Sequence, residues 1–368
     1  MTDKRTLRLA TRGSDLAMRQ AAAVKNRLEN RRTAVELVEV ETTGDELRDE
    51  LIHRLGKTGA FVRALDEKVL DGDCDLAVHS MKDVPTDFPE ELVVAGVPKR
   101  AAAGDVLLTP DGRSLAELPE GAVVGTASLR RTAELLAERP DLTVEPLRGN
   151  VDTRVEKLLA PHLQHEHERR MEAEEGGEDD QANAEQFDRD VDAWFDSLSE
   201  IERRALGREV GTEFDAIVLA EAGLERAGLL PHVGYDRLPL DTFVPAPGQG
   251  AIAVTARDGE LAEDLRERLD EPRSRVETTV ERTVLRTLGG GCVAPLGVYA
   301  TLRGEYVHVV ARALSRDGTE EVRASTDVSV AEHPGAARQF AERMADDGAA
   351  DLIAEARVQE DEEREATR

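Results

Sequence analysis

The chain has 368 residues, with 76 acidic against 48 basic side chains and a formal net charge of −28. A balance this negative disfavours generic binding to nucleic-acid backbones or anionic membranes, both of which select basic surfaces. Two cysteines exclude a disulfide framework, and no apolar run reaches the ~18 residues of a membrane-spanning helix.

At about 150 residues per domain, the length predicts two to three domains. The charge reads as a strongly hydrated, self-repelling surface of the kind halophiles use, with salt screening the repulsion. An ordinary acidic protein with one very acidic tract is the rival account. The opening stretch, MTDKRTLRLATRGS, holds no apolar leader region, so a cytoplasmic location is expected.

Short apolar runs alternate with helical patterns through the first 250 residues. Leu7–Ala10 reads as a strand. From Ser14, a helix sets Leu16, Ala17, Ala21, Val24 and Leu28 at helical spacing. Val35–Val40 is a strand, Phe61–Leu70 a helix, and Leu76–His79 a short buried strand bounded by Asp75 and Pro85. Val93–Val97, Val106–Leu108 and Val123–Gly125 are strands. Ser128–Glu138 is helical, Thr143–Leu147 a strand and Val151–Leu159 a helix. Phe214–Leu219 is a buried strand and Ala220–Ala227 a helix. Strands alternating with helices predict an α/β fold on largely parallel sheets.

Residues 161–211 differ and read as an insertion. The first half, PHLQHEHERRMEAEEGGEDDQANAEQ, has too few apolar side chains to offset its ordering entropy and is expected to be disordered. The second half spaces Val191, Trp194, Phe195, Leu198 and Ile201 as one amphipathic helix. After about Glu271 the texture changes again. Val298–Leu302, Tyr306–Leu314 and Glu321–Val328 read as antiparallel strands, Ala336–Asp347 as a helix, and the rest as a charged tail. This end is a small α+β domain.

Three strands end in a short polar turn with arginine at or beside the following helix: RLATRGS (Arg12, Ser14), VVGTASLRR (Thr126, Ser128, Arg130, Arg131) and LRGNVDTR (Arg148, Arg154). Ser14, Ser128 and Asn150 are N-cap candidates. Free N–H groups at a helix start attract anions, and arginine adds a planar fork for carboxylate or phosphate. A surface cap or ion pair explains any one arginine; three turns of one construction favour a shared polyanionic ligand. In DLAVHSMKDVP, Lys82 beside Asp83 keeps a carboxylate ionised for stabilising positive charge, and His79 reads as a satisfied histidine rather than a base. In LGGGCVAPLG, glycines leave room around Cys292 for a bulky partner, while Cys74 reads as structural. His162, His165 and His167 are too loosely spaced for a metal centre, so none is expected. Gly248 and Gly250 of PAPGQGA lack the lysine of a phosphate loop and read as an interdomain turn.

Taken in order, RLATRGS, AVHSMKDVP, VGTASLRR, LRGNV-TR, FDAIVLA-AGL, PGQGA and GGC-AP-G resemble the porphobilinogen deaminase (hydroxymethylbilane synthase) family over nearly the whole chain outside the insertion and tail. The resemblance implies two periplasmic-binding-protein-like α/β domains with mixed, mostly parallel sheets and a small C-terminal α+β domain. By analogy these are residues 1–97 with 250–270, residues 98–249, and residues 271–368. It implies head-to-tail condensation of four porphobilinogen molecules with release of four ammonia, then hydrolytic release of the product. A dipyrromethane cofactor would be tethered as a thioether to Cys292. Asp83 matches the family's catalytic aspartate, and Arg12 is a candidate assistant in proton delivery. Ser14, Lys82, Thr126, Ser128, Arg130, Arg131, Arg148 and Arg154 would bind the carboxylates of cofactor and substrate. A monomer is expected. The chain departs from the family pattern at Lys57 and Thr58, at Ala127, and at Asp152, which puts an acid near an arginine turn. A non-catalytic anion-binding module is the alternative; it predicts neither the cysteine nor Lys82–Asp83.

Overall fold

The computed structural model describes residues 5–40, 58–87, 89–175, 187–290 and 294–366. In chain order the first elements are β1 (Arg5–Thr11), α1 (Asp15–Leu28), β2 (Thr33–Glu39), α2 (Thr58–Leu70), β3 (Leu76–Ser80) and β4 (Leu92–Gly96). The next group is β5 (Asp105–Leu108), β6 (Val123–Thr126), α3 (Leu129–Glu138), β7 (Thr143–Pro146), α4 (Val151–Glu175), α5 (Val191–Ser197), α6 (Glu200–Leu206), β8 (Ala216–Ala220), α7 (Glu221–Ala227) and β9 (Tyr235–Arg237). The chain then runs through β10 (Ile252–Arg257), α8 (Glu260–Leu269) and α9 (Pro272–Thr287). It closes with β11 (Leu296–Arg303), β12 (Tyr306–Leu314), β13 (Glu321–Ser329), α10 (His333–Met344) and α11 (Ala350–Ala366).

Two five-stranded sheets carry the first 257 residues, in the orders β2-β1-β3-β10-β4 and β7-β6-β8-β5-β9. In each, four strands run one way and one runs against them: β10 in the first sheet and β5 in the second. The sheets are thus mixed and mostly parallel, as the alternating pattern predicts. Both faces of each are covered, which is why their strands read as near-continuous apolar runs. The antiparallel sheet β11-β12-β13 packs on α9 and α10 around a separate core of Val280, Val298, Val309 and Phe340.

The chain leaves the first sheet after β4 and returns to it through β10, and the two crossing segments are bonded to each other: the Ala101 N–H donates to the Gly250 carbonyl at 3.1 Å. Gly250 has φ +83°, and a Cβ there would lie 2.6 Å from the Ala102 carbonyl oxygen. Only glycine fits that turn without strain.

Three expectations need correction. The helix expected to end at Leu159 continues to Glu175 through Pro161, so residues 161–175 are ordered rather than disordered. Packing supplies what composition lacks: Leu163 is buried, and the Arg170 guanidinium lies 4.3 Å from the Phe187 ring centroid and 5.2 Å from that of Trp194. The single amphipathic helix expected over Val191–Ile201 is two helices. Ser199 and Glu202 form a capping box that starts α6 afresh, and Phe195 stays 41 % exposed. The charged tail is helical, held by Leu352, Ile353 and Ala356 on one buried face of α11.

Candidate active site

Parallel pairing decides where the polar turns emerge. β1 lies beside β3 and runs with it, so the turn after Thr11 and the turn after Ser80 leave the same, carboxyl edge of the first sheet. The first carries Arg12, half-buried, and Ser14, whose hydroxyl caps α1 by accepting from the Ala17 N–H at 3.4 Å. The second is a 3-10 turn, Met81–Asp83, with Lys82 and Asp83 both half-buried. β6 likewise runs beside β7 and beside β8. Thr126, Ser128, Arg130 and Arg131 therefore share the carboxyl edge of the second sheet with Arg148 and Arg154. α1 and α7, each following a strand of one sheet, touch where Arg19 Nη1 donates to the Arg226 carbonyl at 3.5 Å. Carboxyl edges are where open α/β sheets hold their ligands.

His79, on the strand leading to Lys82–Asp83, is buried and satisfied. Its Nε2 lies 2.9 Å from Asp66 Oδ1 and 3.1 Å from Thr255 Oγ1, so it is structural as read.

The second sheet's turn differs from expectation in detail. Ser128 occupies the N-cap of α3 but makes no side-chain cap; instead its N–H donates to Thr126 Oγ1 at 3.2 Å. Arg130 and Arg131 are 3 % and 5 % exposed and share one carboxylate. Arg130 Nη2 donates to Asp105 Oδ2 at 2.6 Å, and Arg131 Nη2 to Asp105 Oδ1 at 2.7 Å. Arg130 Nη1 also reaches Glu134 at 2.6 Å and the Val244 carbonyl at 2.8 Å. Gln249 joins the cluster through Asp105 Oδ1 at 2.8 Å and the Ala103 carbonyl at 2.6 Å. Two guanidiniums hold the Asp105 carboxyl well below the usual range despite its burial. Burial pushes Glu134 up to about 8, against the opposing pull of Arg130. Asp105, Glu134 and Gln249 escaped the sequence reading. The available signal was an acid opening the apolar run DVLL.

Arg154 donates Nε–H to the Gly149 carbonyl at 2.8 Å. Burial, and then the charge of nearby Arg131, lower its guanidinium to about 10. No carboxylate among the described residues answers it. Arg148 is exposed, and its carbonyl accepts from Lys157 Nζ at 3.2 Å. Asp152 sits in the first turn of α4 and lies 3.9 Å from Arg204, while Glu156 accepts from Arg204 at 3.0 Å and Arg208 at 2.6 Å. The acid that departs from the family pattern is therefore answered by a cation of α6.

Cys292 and Lys57 lie outside the described residues. Cys74 is buried, and burial raises its thiol, as suits a structural role. No group of three metal-ligating side chains occurs among the described residues, His162, His165 and His167 included. No helix of the described residues is long and apolar enough to cross a membrane. The donor set of the two edges is arginine, lysine and hydroxyl. That chemistry fits a polycarboxylate such as a dipyrromethane bearing acetate and propionate arms.

Residues 7–165 and 199–264 match the family model described as porphobilinogen deaminase, dipyromethane cofactor binding domain, and residues 276–346 match the porphobilinogen deaminase C-terminal domain. The probable porphobilinogen deaminase of Halobacterium salinarum is 51 % identical over 96 % of this chain and 98 % of its own length. That of Methanococcoides burtonii is 37 % identical over 95 % and 96 %. The porphobilinogen deaminase of Desulforudis audaxviator is 38 % identical over 96 % and 99 %. With its arginine-bearing turns and matched domains spanning most of its length, the chain belongs to the porphobilinogen deaminase family.

Proposed function

We propose that the chain is a hydroxymethylbilane synthase whose two carboxyl edges face one cleft, between a domain of residues 1–97 with 250–270 and a domain of residues 98–249. Residues 271–368 form the third domain, which carries Cys292. The observation that carries this reading is Arg154: a half-buried cation whose guanidinium is lowered by burial and by nearby Arg131, with no carboxylate of its own among the described residues, is electrostatically incomplete until an anion arrives. Porphobilinogen, with its acetate and propionate, supplies such anions, and each added unit brings two more.

Cys292 would hold a dipyrromethane as a thioether, and that group would supply a nucleophilic pyrrole carbon. Arg12, Lys82, Arg148 and Arg154 hold carboxylates, with Ser14, Thr126 and Ser128 donating hydrogen bonds. Arg130 and Arg131 line the wall behind them and set its positive potential. In each step the aminomethyl C–N bond of an incoming porphobilinogen breaks and ammonia leaves. A carbon–carbon bond to the neighbouring pyrrole forms, and that pyrrole carbon loses a proton. Asp83 stabilises the positive charge spread onto the pyrrole nitrogen when ammonia departs. Removing one such group costs about 10²–10³ in rate. Arg12 assists protonation of the leaving amine. The enzyme acts as a cytoplasmic monomer.

Intact mass and turnover test this together. Wild type should carry two extra pyrrole units and give an Ehrlich-positive product. Cys292→Ser should lose the mass, and Asp83→Asn should keep it while losing turnover. A wild-type chain of unmodified mass that binds porphobilinogen without turnover would favour the non-catalytic module.

A further inference from the structure

We propose that Arg282 is a positioning residue for Asp83, registering the catalytic turn on the helix that leads to the cofactor cysteine. The inference rests on the reading of Asp83 as the charge-stabilising group.

The Met81–Asp83 turn has little of its own to hold it. Ser80 makes no side-chain cap, and the one backbone bond closing the turn runs from the Val84 N–H to the Met81 carbonyl at 3.2 Å. Pro85 contributes no N–H, so the carbonyls around the turn need donors from elsewhere. Arg282 supplies them. Its Nη1 donates to the Val84 carbonyl at 2.8 Å and reaches the Met81 carbonyl at 3.4 Å, and its Nη2 donates to the Pro85 carbonyl at 2.6 Å. One planar fork thus grips the chain on both sides of Lys82 and Asp83. A guanidinium can span three carbonyls in this way; an ammonium cannot.

The opposite side of the turn is fixed to the crossover. The Met81 N–H donates to the Ala251 carbonyl at 3.0 Å, and Gly248 packs so tightly that a Cβ would lie 2.6 Å from Met81 Cγ. Between that wall and Arg282, the Asp83 backbone has little freedom. Arg282 lies on α9, ten residues before Cys292 in sequence, so the fork ties the turn bearing the carboxylate to the helix that precedes the tether residue in the chain. A misplacement of ~1 Å in such a constellation costs about 10²-fold in rate.

The test uses holoenzyme, with turnover normalised to the fraction carrying the cofactor mass. Arg282→Met removes the donors and keeps the stem. It should lower kcat about 10- to 100-fold while KM stays within about twofold. Arg282→Lys should fall between Met and wild type. On an Asp83→Asn background, Arg282→Met should cost less than about threefold, because the group it positions is already disabled. Wild-type kcat in the Met variant, or equal losses on both backgrounds, overturns the proposal while leaving Asp83 catalytic. Full turnover of Asp83→Asn alone overturns the reading beneath it. If the Met variant does not accumulate as folded protein, the Lys variant decides: a lowered kcat at constant KM supports the role, and a wild-type kcat overturns it.

Discussion

Arg131 lies close enough to Arg154 for its charge, added to burial, to hold the Arg154 guanidinium down to about 10. A carboxylate bound between them reverses both effects, so binding and protonation are coupled. The charged form binds; affinity is full below about pH 10 and lost above it. KM for porphobilinogen should therefore be flat from pH 7 to 9 and rise by about tenfold per unit beyond 10. Arg154→Ala should abolish that rise and lower kcat/KM by about 10- to 100-fold, the worth of one charge-assisted hydrogen bond. A KM of Arg154→Ala that keeps the wild-type pH profile would place the titrating group elsewhere.

The Asp105 carboxylate is the counter-ion of two buried arginines, so Asp105→Asn leaves cations without charge compensation. Breaking such a cluster from one side costs about 3–5 kcal/mol. Denaturant unfolding at fixed high salt should show it. Because the Asp105 carboxyl sits below its unfolded value of 3.8, its contribution is present above that pH and lost as pH falls through the folded value. The acid limb of the stability curve should therefore flatten in the variant.

Glu134 works in the opposite sense. Its Oε2 accepts from Arg130, but the buried Oε1 has no partner among the described residues, and burial raises the group from 4.5 to about 8. Between those values the native state keeps a proton that the unfolded chain has lost. Stability should fall from pH 4.5 to 8 and level off above, by on the order of a few kcal/mol. Glu134→Gln keeps the acceptor for Arg130 and removes the titration, so its unfolding midpoint should be nearly level over that window. An unchanged slope would assign the pH dependence to other groups.

The parts of this site that are local in sequence could be read there. Ser14 sits where a strand gives way to a helix, and Lys82 and Asp83 sit shortly after the buried strand Leu76–His79; both facts place side chains at a sheet edge from the sequence alone. The pairing of Asp105 with Arg130 and Arg131 spans 25 and 26 residues, and Arg282 reaches carbonyls some 200 residues away. No periodicity encodes such contacts. The helix through Pro161 was hidden for a related reason. Its support comes from Phe187 and Trp194, on the far side of an acidic tract, and a window over residues 161–175 sees only their absence.

Arg170 and Trp194 offer a probe of that added region. Trp194 is the chain's single tryptophan and is buried on α5, so its emission reports on the packing around that helix. Arg170→Ala removes the cation stacked on Phe187 and Trp194 and the bond from Arg170 Nη2 to Glu166 at 2.7 Å. Emission should shift to longer wavelength, and the region should lose about 2 kcal/mol, the upper range for a desolvated cation–π contact. Residues 166–198 lie outside the family match, so kcat should stay within about twofold of wild type. A large loss of turnover would give the region a catalytic role.

Salt poses the sharpest test of how a chain of charge −28 holds a polyanion. The arginines act at contact distance, where several are buried and little screened. The acidic surface acts over longer distances, which salt shortens: the Debye length is ~30 Å at 0.01 M and ~3 Å at 1 M. Lowering salt therefore leaves attraction almost unchanged while repulsion from the surface grows, both toward the substrate and within the fold. KM should rise and the unfolding midpoint should fall as salt is removed. The two effects separate by variant. Charge-neutralising Asp→Asn and Glu→Gln changes confined to exposed positions of α8, such as Glu260 and Glu267, should ease the loss of stability. Arg154→Ala should leave the salt dependence of stability in place while weakening binding at every salt concentration. Equal KM and equal stability in dilute buffer and in molar salt would remove the surface-charge account and leave the acidity of this chain unexplained.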